Sequence, residues 1–446
     1  MASAAEQLAA NLNFGALAKA DELKKRIWFT LGALIVYRLG TYIPLPGINP
    51  DAVADLFRQQ SQSGVLGLFN MFSGGAVGRL AIFALAIMPY ISASIIIQLL
   101  SSVVPTFETL KKEGEQGRKI LNQYTRYLTL VLAVFQAYAI GVGLQGSGNL
   151  VLEPGPFFLL STTITLVGGT MFLLWLGEQI TSRGIGNGTS MIIFAGIIAE
   201  FPAQLAQTLE LGRQGAISTG LLLGILVMAI CVIAFCVFME RAQRRLLINY
   251  PKRQVGNRMY EGQTSFLPLK LNTSGVIPPI FASSLLLLPT TIASFSQAQG
   301  GTGFLSTIAT YLAHGRPLFM FLYAALIIFF CFFYTAIVFN PVETADNLKK
   351  HGGFMPGIRP GERTAEHIDR ILTRITVLGA GYLTIVCLIP EFMITYAQIP
   401  IILLGGTSLL IVVTTTMDTV AQVHGHLLAH QYEGLVKKAK LRGARR

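Results

Sequence analysis

The chain of 446 residues is 52% hydrophobic and only 13% charged, with a mean hydropathy of +0.58, which excludes an ordinary water-soluble domain. Apolar runs of about 20 residues continue to the C-terminus, which reads as a multispanning protein and not as a secreted one behind a single leader. The net charge of +12 is gathered into a few connections, so its distribution carries more information than its size.

The residue pattern predicts an all-helical membrane protein with spans over 27–45, 80–104, 125–144, 157–177, 189–209, 216–239, 273–293, 317–339, 375–393 and 399–421. These runs are too long and too uniformly apolar for the alternating strands of a barrel, so helix is the spanning form. An amphipathic stretch, 1–26, precedes them, and a basic tail, 422–446, follows. Lys and Arg set the orientation. They cluster before the first span (Lys19, Lys24, Lys25, Arg26) and in the 105–124 connection (Lys111, Lys112, Arg118, Lys119). They cluster again in 240–272 (Arg241, Arg244, Arg245, Lys252, Arg253, Arg258, Lys270), in 340–374 (Lys349, Lys350, Arg359, Arg363, Arg370, Arg374) and in the tail. The intervening connections hold only Arg58, Arg79, Arg213 and Arg316. The basic side is therefore cytoplasmic, both termini lie inside, and the number of spans is even.

Between the first two spans, SQSGVLGLFNMFSGGAVGR (61–79) is apolar but too short to cross, and Ser73, Gly74 and Gly75 make a hinge near its end. It reads either as a movable stopper folded into a cavity or as an interfacial helix lying on the membrane. The second span then carries MPYISAS (88–94), and the seventh carries IPPIFAS (277–283), with Pro89, Ile91, Ala93 and Ser94 matching Pro278, Ile280, Ala282 and Ser283. The fifth span opens on GTSMII (188–193) and the tenth on GTSLLI (406–411). Each pair is five spans apart, an odd number, so the second set runs upside down. Two inverted halves, 27–209 and 210–421, with a functional site where they meet, follow from that spacing. Proline bends a helix, and the small residues after it (Ser92, Ala93, Ser94; Ala282, Ser283, Ser284) allow close approach. The second and seventh helices are thus expected to form a close-packed, separable pair, with Gln98 and Asn272 placed to hydrogen-bond across the seam, either as part of a gate or as a satisfied interhelical bond with no gating role.

Coupled transport needs ionisable groups at mid-membrane, and here they are nearly absent. Arg38 is close enough to the outer end of its span to snorkel, and Glu178, Glu200, Glu391 and Asp418 lie at span ends. The echo positions Ile91, Ile193, Ile280 and Ile411 are aliphatic, and an aliphatic constriction gates by excluding water. The long basic loops 240–272 and 340–374 exceed what orientation needs and read as a docking surface for an acidic or nucleic-acid-containing partner. Cys231, Cys236, Cys331 and Cys387 lie in apolar runs as small hydrophobes, GIGNG (184–188) reads as a cytoplasmic turn, and His424, His426 and His430 as an interfacial face. No phosphate loop, His-Glu-x-x-His or nucleophile elbow is present, so neither catalysis nor a cofactor or metal is expected. A small-solute transporter with inverted repeats is the competing reading.

The runs FNMFSGGA (69–76), IMPYISASIIIQLL (87–100), KKEGEQGRKI (111–120), WLGEQITSRGIGNG (175–188), FNPVETADNLKK (339–350), PGIRPGE (356–362) and GGTSLLIVV (405–413) resemble the SecY family. These are the channel subunits of the bacterial protein translocase, and the resemblance covers essentially the whole chain in family order. It implies a ten-helix, protein-conducting channel of the bacterial cytoplasmic membrane, in two inverted halves around an hourglass pore that opens to the periplasm and sideways to lipid. It implies an aliphatic pore ring of Ile87, Ile91, Ile193, Ile280 and Ile411, with Thr189 departing from an isoleucine frequent in the family. It implies a plug over Gly64, Val65, Leu66, Gly67, Leu68, Phe69, Asn70, Met71, Phe72, Ser73, Gly74 and Gly75. The lateral gate it implies lies between the second and seventh helices, with Pro89, Ser92, Ser94, Gln98, Asn272, Pro278 and Ser283. The cytoplasmic loops would dock the ribosome and the motor ATPase SecA through Lys252, Arg253, Arg258, Lys349, Lys350, Arg359 and Arg363. Arg359 matches the arginine most associated with that contact. Where some relatives carry two adjacent arginines, this chain has Asn257 and Arg258. Small subunits resembling SecE and SecG, signal peptides, nascent chains and membrane lipid complete the implied partners; DNA is not among them.

Overall fold

The computed structural model describes residues 21–49, 52, 70, 73–146, 150–215, 218–250, 253–255, 258–260, 264–286, 316–397 and 406–443. These residues are mostly helical. In chain order the helices are α1 (Asp21–Gly40), α2 (Met88–Val103), α3 (Pro105–Lys112), α4 (Glu115–Gly146), α5 (Pro156–Arg183), α6 (Gly188–Arg213) and α7 (Thr219–Arg241). They continue as α8 (Ile277–Leu286), α9 (Pro317–Val338), α10 (Pro341–Lys350), α11 (Glu362–Ala397) and α12 (Gly406–Gly443). Among the described residues, six stretches are long and apolar enough to cross a membrane: Glu115–Gly146, Pro156–Arg183, Gly188–Glu210, Gly220–Arg241, Pro317–Lys350 and Glu362–Met393. The pair α2–α3, bent by 101°, raises the count to seven.

The outer surface of α7 shows why these helices need lipid. Its apolar window is only 11% buried, and Leu223 and Phe238 are exposed. Such a continuous apolar face is costly in water and costs nothing in hydrocarbon. Asparagine and serine start several helices by accepting from backbone N–H groups otherwise left without partners. Asn187 accepts from Thr189 ahead of α6, Ser218 from Leu221 ahead of α7, and Asn340 from Val342 and Glu343 ahead of α10.

The second predicted span differs from its expectation. Residues 73–87 run as turns, and α2 begins only at Met88. Pro89 stands in the first turn, where its missing N–H is no loss, so it opens the helix instead of bending it. Pro278 is likewise the second residue of α8. The apolar turns are held by non-helical partners: Leu45 N–H donates to Leu80 O at 2.9 Å and Ala81 N–H to Ala76 O at 2.8 Å. Leu80 and Ala86 adopt left-handed backbone (φ 44° and 47°), a conformation no helix contains.

The 240–272 connection is a β-ribbon. Strands β1 (Gln243–Asn249) and β4 (Thr264–Lys270) pair antiparallel from Gln243↔Lys270 to Asn249↔Thr264, and β2 (Arg253–Val255) pairs β3 (Arg258–Tyr260). A bridge between Asn249 and Phe354 ties it to the 340–374 connection, and Leu246, Leu269, Met355, Ile368 and Ile371 form a shared apolar core beneath them. The described residues of the two basic connections therefore pack together as one platform.

One backbone arrangement occurs twice. Ile82 N–H donates to Ile43 O at 3.0 Å, just beyond α1, and Leu271 N–H donates to Ala242 O at 2.9 Å, just beyond α7. Ile82 and Leu271 each stand seven residues ahead of Pro89 and Pro278. The isolated bridge Pro44↔Ala81 has its counterpart in Gln243↔Lys270.

Candidate functional site

The five predicted ring isoleucines are carried at or near the starts of four helices. Ile87 caps α2 and Ile91 lies in its first turn, Ile193 follows the start of α6, Ile280 that of α8, and Ile411 that of α12. The structure brings all five to one cavity of ≈ 10 Å³, lined also by Ala86, Met88 and Ser283. That is room for about one water molecule. Ile87 is 2% exposed and Ile411 1%, and among the described residues no ionisable group lines the space. Branched hydrocarbon meeting in so small a volume offers an ion nothing to replace its hydration shell, so the waist is shut to it.

The seam residues divide. Pro89, Ser92 and Pro278 are buried, Ser94 and Ser283 half-buried. Gln98 Nε2 donates to Ser94 Oγ of its own helix at 3.3 Å, and its buried Oε1 accepts no hydrogen bond among the described residues. Asn272 Nδ2 donates instead to Glu240 Oε1 at 2.5 Å and to Gly275 O at 3.1 Å, and its Oδ1 accepts from Ser274 Oγ. The alternative of a direct Gln98–Asn272 bond is therefore not the one made. The Gln243↔Lys270 pairing aligns the end of α7 with the residues just past β4, which puts the Glu240 carboxyl beside Asn272.

Of the proposed plug, Gly64, Val65, Leu66, Gly67, Leu68, Phe69, Met71 and Phe72 lie outside the described residues. Asn70 Oδ1 accepts from Gly78 N–H at 2.6 Å, and Ser73 Oγ donates to Asn70 O at 3.0 Å. Gly74 and Gly75 sit at φ 64° and 82°, a left-handed pair that glycine adopts freely. Sequence reasoning missed what surrounds them. Arg38 Nη1 donates to Gly74 O at 2.5 Å, Arg79 and Arg38 flank Glu200 at 3.4 and 4.0 Å, and the Arg79 guanidinium lies 4.2 Å over the Tyr42 ring. Opposite charges in apolar surroundings were the signal that could have joined them.

On the platform, Lys349 and Lys350 are exposed in the last turn of α10, and Arg363 is exposed in the first turn of α11. Arg359 is exposed in the turn between them, its carbonyl held by Thr364 Oγ1 at 2.9 Å. Arg253 and Arg258 lie on β2 and β3, whereas Lys252 and Asn257 fall outside the described residues.

Apolar helices around a sealed, uncharged waist define a channel-type helical membrane protein. The SecY family model matches residues 81–420. Protein translocase subunit SecY of Escherichia coli (strain K12) is 56% identical over 425 residues, 95% of this chain and 96% of that protein. The same subunit of Vibrio cholerae is 56% identical over 427 residues, again 95% and 96%. A solved protein-conducting channel superposes with a TM-score of 0.66 at 18% identity, covering 91% of this chain and 92% of that one. Canine Sec61, solved in a ribosome–channel complex, gives 0.62 at 18% identity with the same coverage. The chain belongs to the SecY family.

Proposed function

We propose that the chain is the protein-conducting subunit of a bacterial translocase. It passes unfolded secretory polypeptides across the cytoplasmic membrane and releases apolar segments sideways into lipid. The observation that carries this reading is the waist: five isoleucines from four helices close on ≈ 10 Å³ without a charge. A channel for chains of any sequence cannot depend on specific hydrogen bonds, and flexible aliphatic side chains close around varied cargo while excluding water. Apolar signal peptides leave through a seam between α2 and α8, driven by removal of their surface from water at about 25 cal/mol per Å².

The architecture of this reading is ten spans in two inverted halves, 27–209 and 210–421, behind an amphipathic segment 1–26 and ahead of a basic tail 422–446. The paired motifs and the paired Ile82/Leu271 contacts support it. Residues 64–75 act as the plug, hinged at Gly74 and Gly75. Both termini and the platform face the cytoplasm, where Lys252, Arg253, Arg258, Lys349, Lys350, Arg359 and Arg363 dock the ribosome or a SecA-like motor; solved relatives of this fold include ribosome-bound channels. SecE-like and SecG-like subunits accompany the chain, which performs no chemistry itself.

The test is reconstitution of the chain with its small subunits and motor in proteoliposomes. ATP-dependent entry of a presecretory protein is the expected result. Uptake of a small solute with no entry of protein would overturn the reading in favour of a transporter.

A further inference from the structure

We infer that α5 and α11 are the seats of the waist, and that Gly169, Gly188, Gly379 and Gly406 are positioning residues that set the depth of the ring isoleucines; this rests on the channel reading above. At each of these glycines a side-chain carbon would run into a backbone carbonyl. Gly169 of α5 abuts Ile82 O, and Gly379 of α11 abuts Leu271 O, which a Cβ would meet at 2.8 Å. Gly188, the first residue of α6, abuts Gly177 O of α5, and Gly406, the first residue of α12, abuts Val386 O of α11.

The four contacts are two copies of one device. In each half a central helix admits, at a glycine, the irregular chain that leads into one ring helix. About two turns further on, it receives at a carbonyl the glycine that opens another ring helix. The register agrees between copies: Ile91 and Ile280 follow the clamped carbonyl residues by nine positions, and Ile193 and Ile411 follow the opening glycines by five. Chance packing would not repeat those spacings in both halves. Five helical residues rise about 7.5 Å, so each of those isoleucines sits close enough to its clamp to follow any displacement of it.

A backbone carbonyl cannot swing aside as a side chain does. Carbon–oxygen contacts between backbones settle at about 3.3–3.6 Å, so alanine at Gly379 separates the segments by about 0.5–1 Å, and at the other three positions by more. The waist holds only ≈ 10 Å³, and a shift of that size in one wall admits further water.

The experiment measures the resting ion conductance of the full chain with its partner subunits in planar bilayers, normalised per inserted chain. Gly169→Ala, Gly188→Ala, Gly379→Ala and Gly406→Ala are each expected to raise it severalfold, with the matched members of each pair behaving alike. Gly168→Ala and Gly381→Ala, on the same two helices but facing open space, are expected to leave it unchanged. Glycines that only stabilise packing would lower abundance without raising the leak per chain. Should Gly188→Ala fail to accumulate, Gly379→Ala is the milder probe of the same seat geometry. Wild-type conductance in the accumulated seat variants, or a leak confined to one half, overturns the inference. An Ile411→Ser channel run alongside separates the two readings. If it leaks and the seat variants do not, the seats fall and the channel stands; if it is silent and protein export is absent, the channel reading itself falls.

Discussion

Ile411→Ser isolates the waist. Ile411 is 1% exposed and lines the ≈ 10 Å³ cavity. Truncation to serine frees room for about two more waters, at ~30 Å³ each. The new hydroxyl can donate to a carbonyl one turn back in α12, as Thr416 does to Val412, but its lone pairs face a lining in which Ser283 alone among the described residues carries a hydroxyl, and an acceptor buried without a partner costs about 1–3 kcal/mol. Water therefore enters. For the native waist the idealised cost of stripping an ion is of order 20 kcal/mol, with the effective barrier after relaxation still several kcal/mol. Solvation by one wetted hydroxyl, worth about 1.5–3 kcal/mol to a charge, raises the resting leak about 10- to 100-fold. Planar-bilayer conductance per inserted channel measures this, with Ile411→Leu as the volume-conserving control expected to stay tight. A dry, wild-type leak in Ile411→Ser at normal abundance would refute the claim that these side chains form the seal.

Cysteines at Ser92 and Ser283 are expected to crosslink across the seam and to stop export of a presecretory protein until reductant is added; full crosslinking with undiminished export counts against a seam between α2 and α8. Glu240→Ala removes the carboxyl that accepts from Asn272 Nδ2, a loss of about 1–2 kcal/mol. Precursors with weakened signal peptides should then export at a higher fraction of the normal rate, and an unchanged ratio would show the bond has no part in gating. Arg126 grips Glu178 through two 2.8 Å bonds, but both side chains are more than a third exposed. Glu178→Gln is therefore expected to cost under about 1 kcal/mol in denaturant titrations, and a larger loss would show the pair to be shielded by a partner or lipid. Arg359→Glu is expected to weaken cytoplasmic partner binding in a salt-dependent way while leaving the resting conductance unchanged, as pull-down at two ionic strengths and bilayer recording together determine.

Of the five isoleucines at the cavity, Ile91, Ile193, Ile280 and Ile411 were legible because they repeat, whereas Ile87 came only with the family resemblance: a motif that is ordinary once, such as Pro-x-Ile-x-Ala-Ser, becomes informative when a second copy lies five spans on. Helix boundaries were less legible. Residues 80–87 have the composition of a span, yet they are turns: Ala84 and Ala86 donate three residues back, while Ile82 N–H and Leu80 O pair with the distant Ile43 and Leu45. Such long-range partners leave no periodic trace. The ribbon of β1 and β4 escaped for a related reason: Leu246 and Ile248 alternate inward, but Leu247 between them and Pro268, opposite Arg245, blur the period. The Arg38–Glu200–Arg79 group was hidden because its members lie on separate segments, each plausible by itself as a snorkelling or terminal charge.

The helix starts explain how such a waist can open at all. If the ring lay in the middle of unbroken spans, moving an isoleucine outward would drag a whole helix and break its ladder of i→i−4 bonds in hydrocarbon, where unmet backbone groups cost several kcal/mol each. Here α2 begins at Met88 and α8 at Ile277, next to the isoleucines they carry. Preceding each is irregular chain anchored outside the helix by one backbone bond, Ile82 N–H to Ile43 O in one case and Leu271 N–H to Ala242 O in the other. A pivot at such a start rotates the ring residue and the seam face together while the helical ladder stays intact. Pro89 and Pro278 suit those starts because no hydrogen bond to the preceding turn is forfeited there. On the channel reading proposed above, the two prolines open their helices instead of breaking them, so ring residue and seam face would turn together at those starts against α5 and α11.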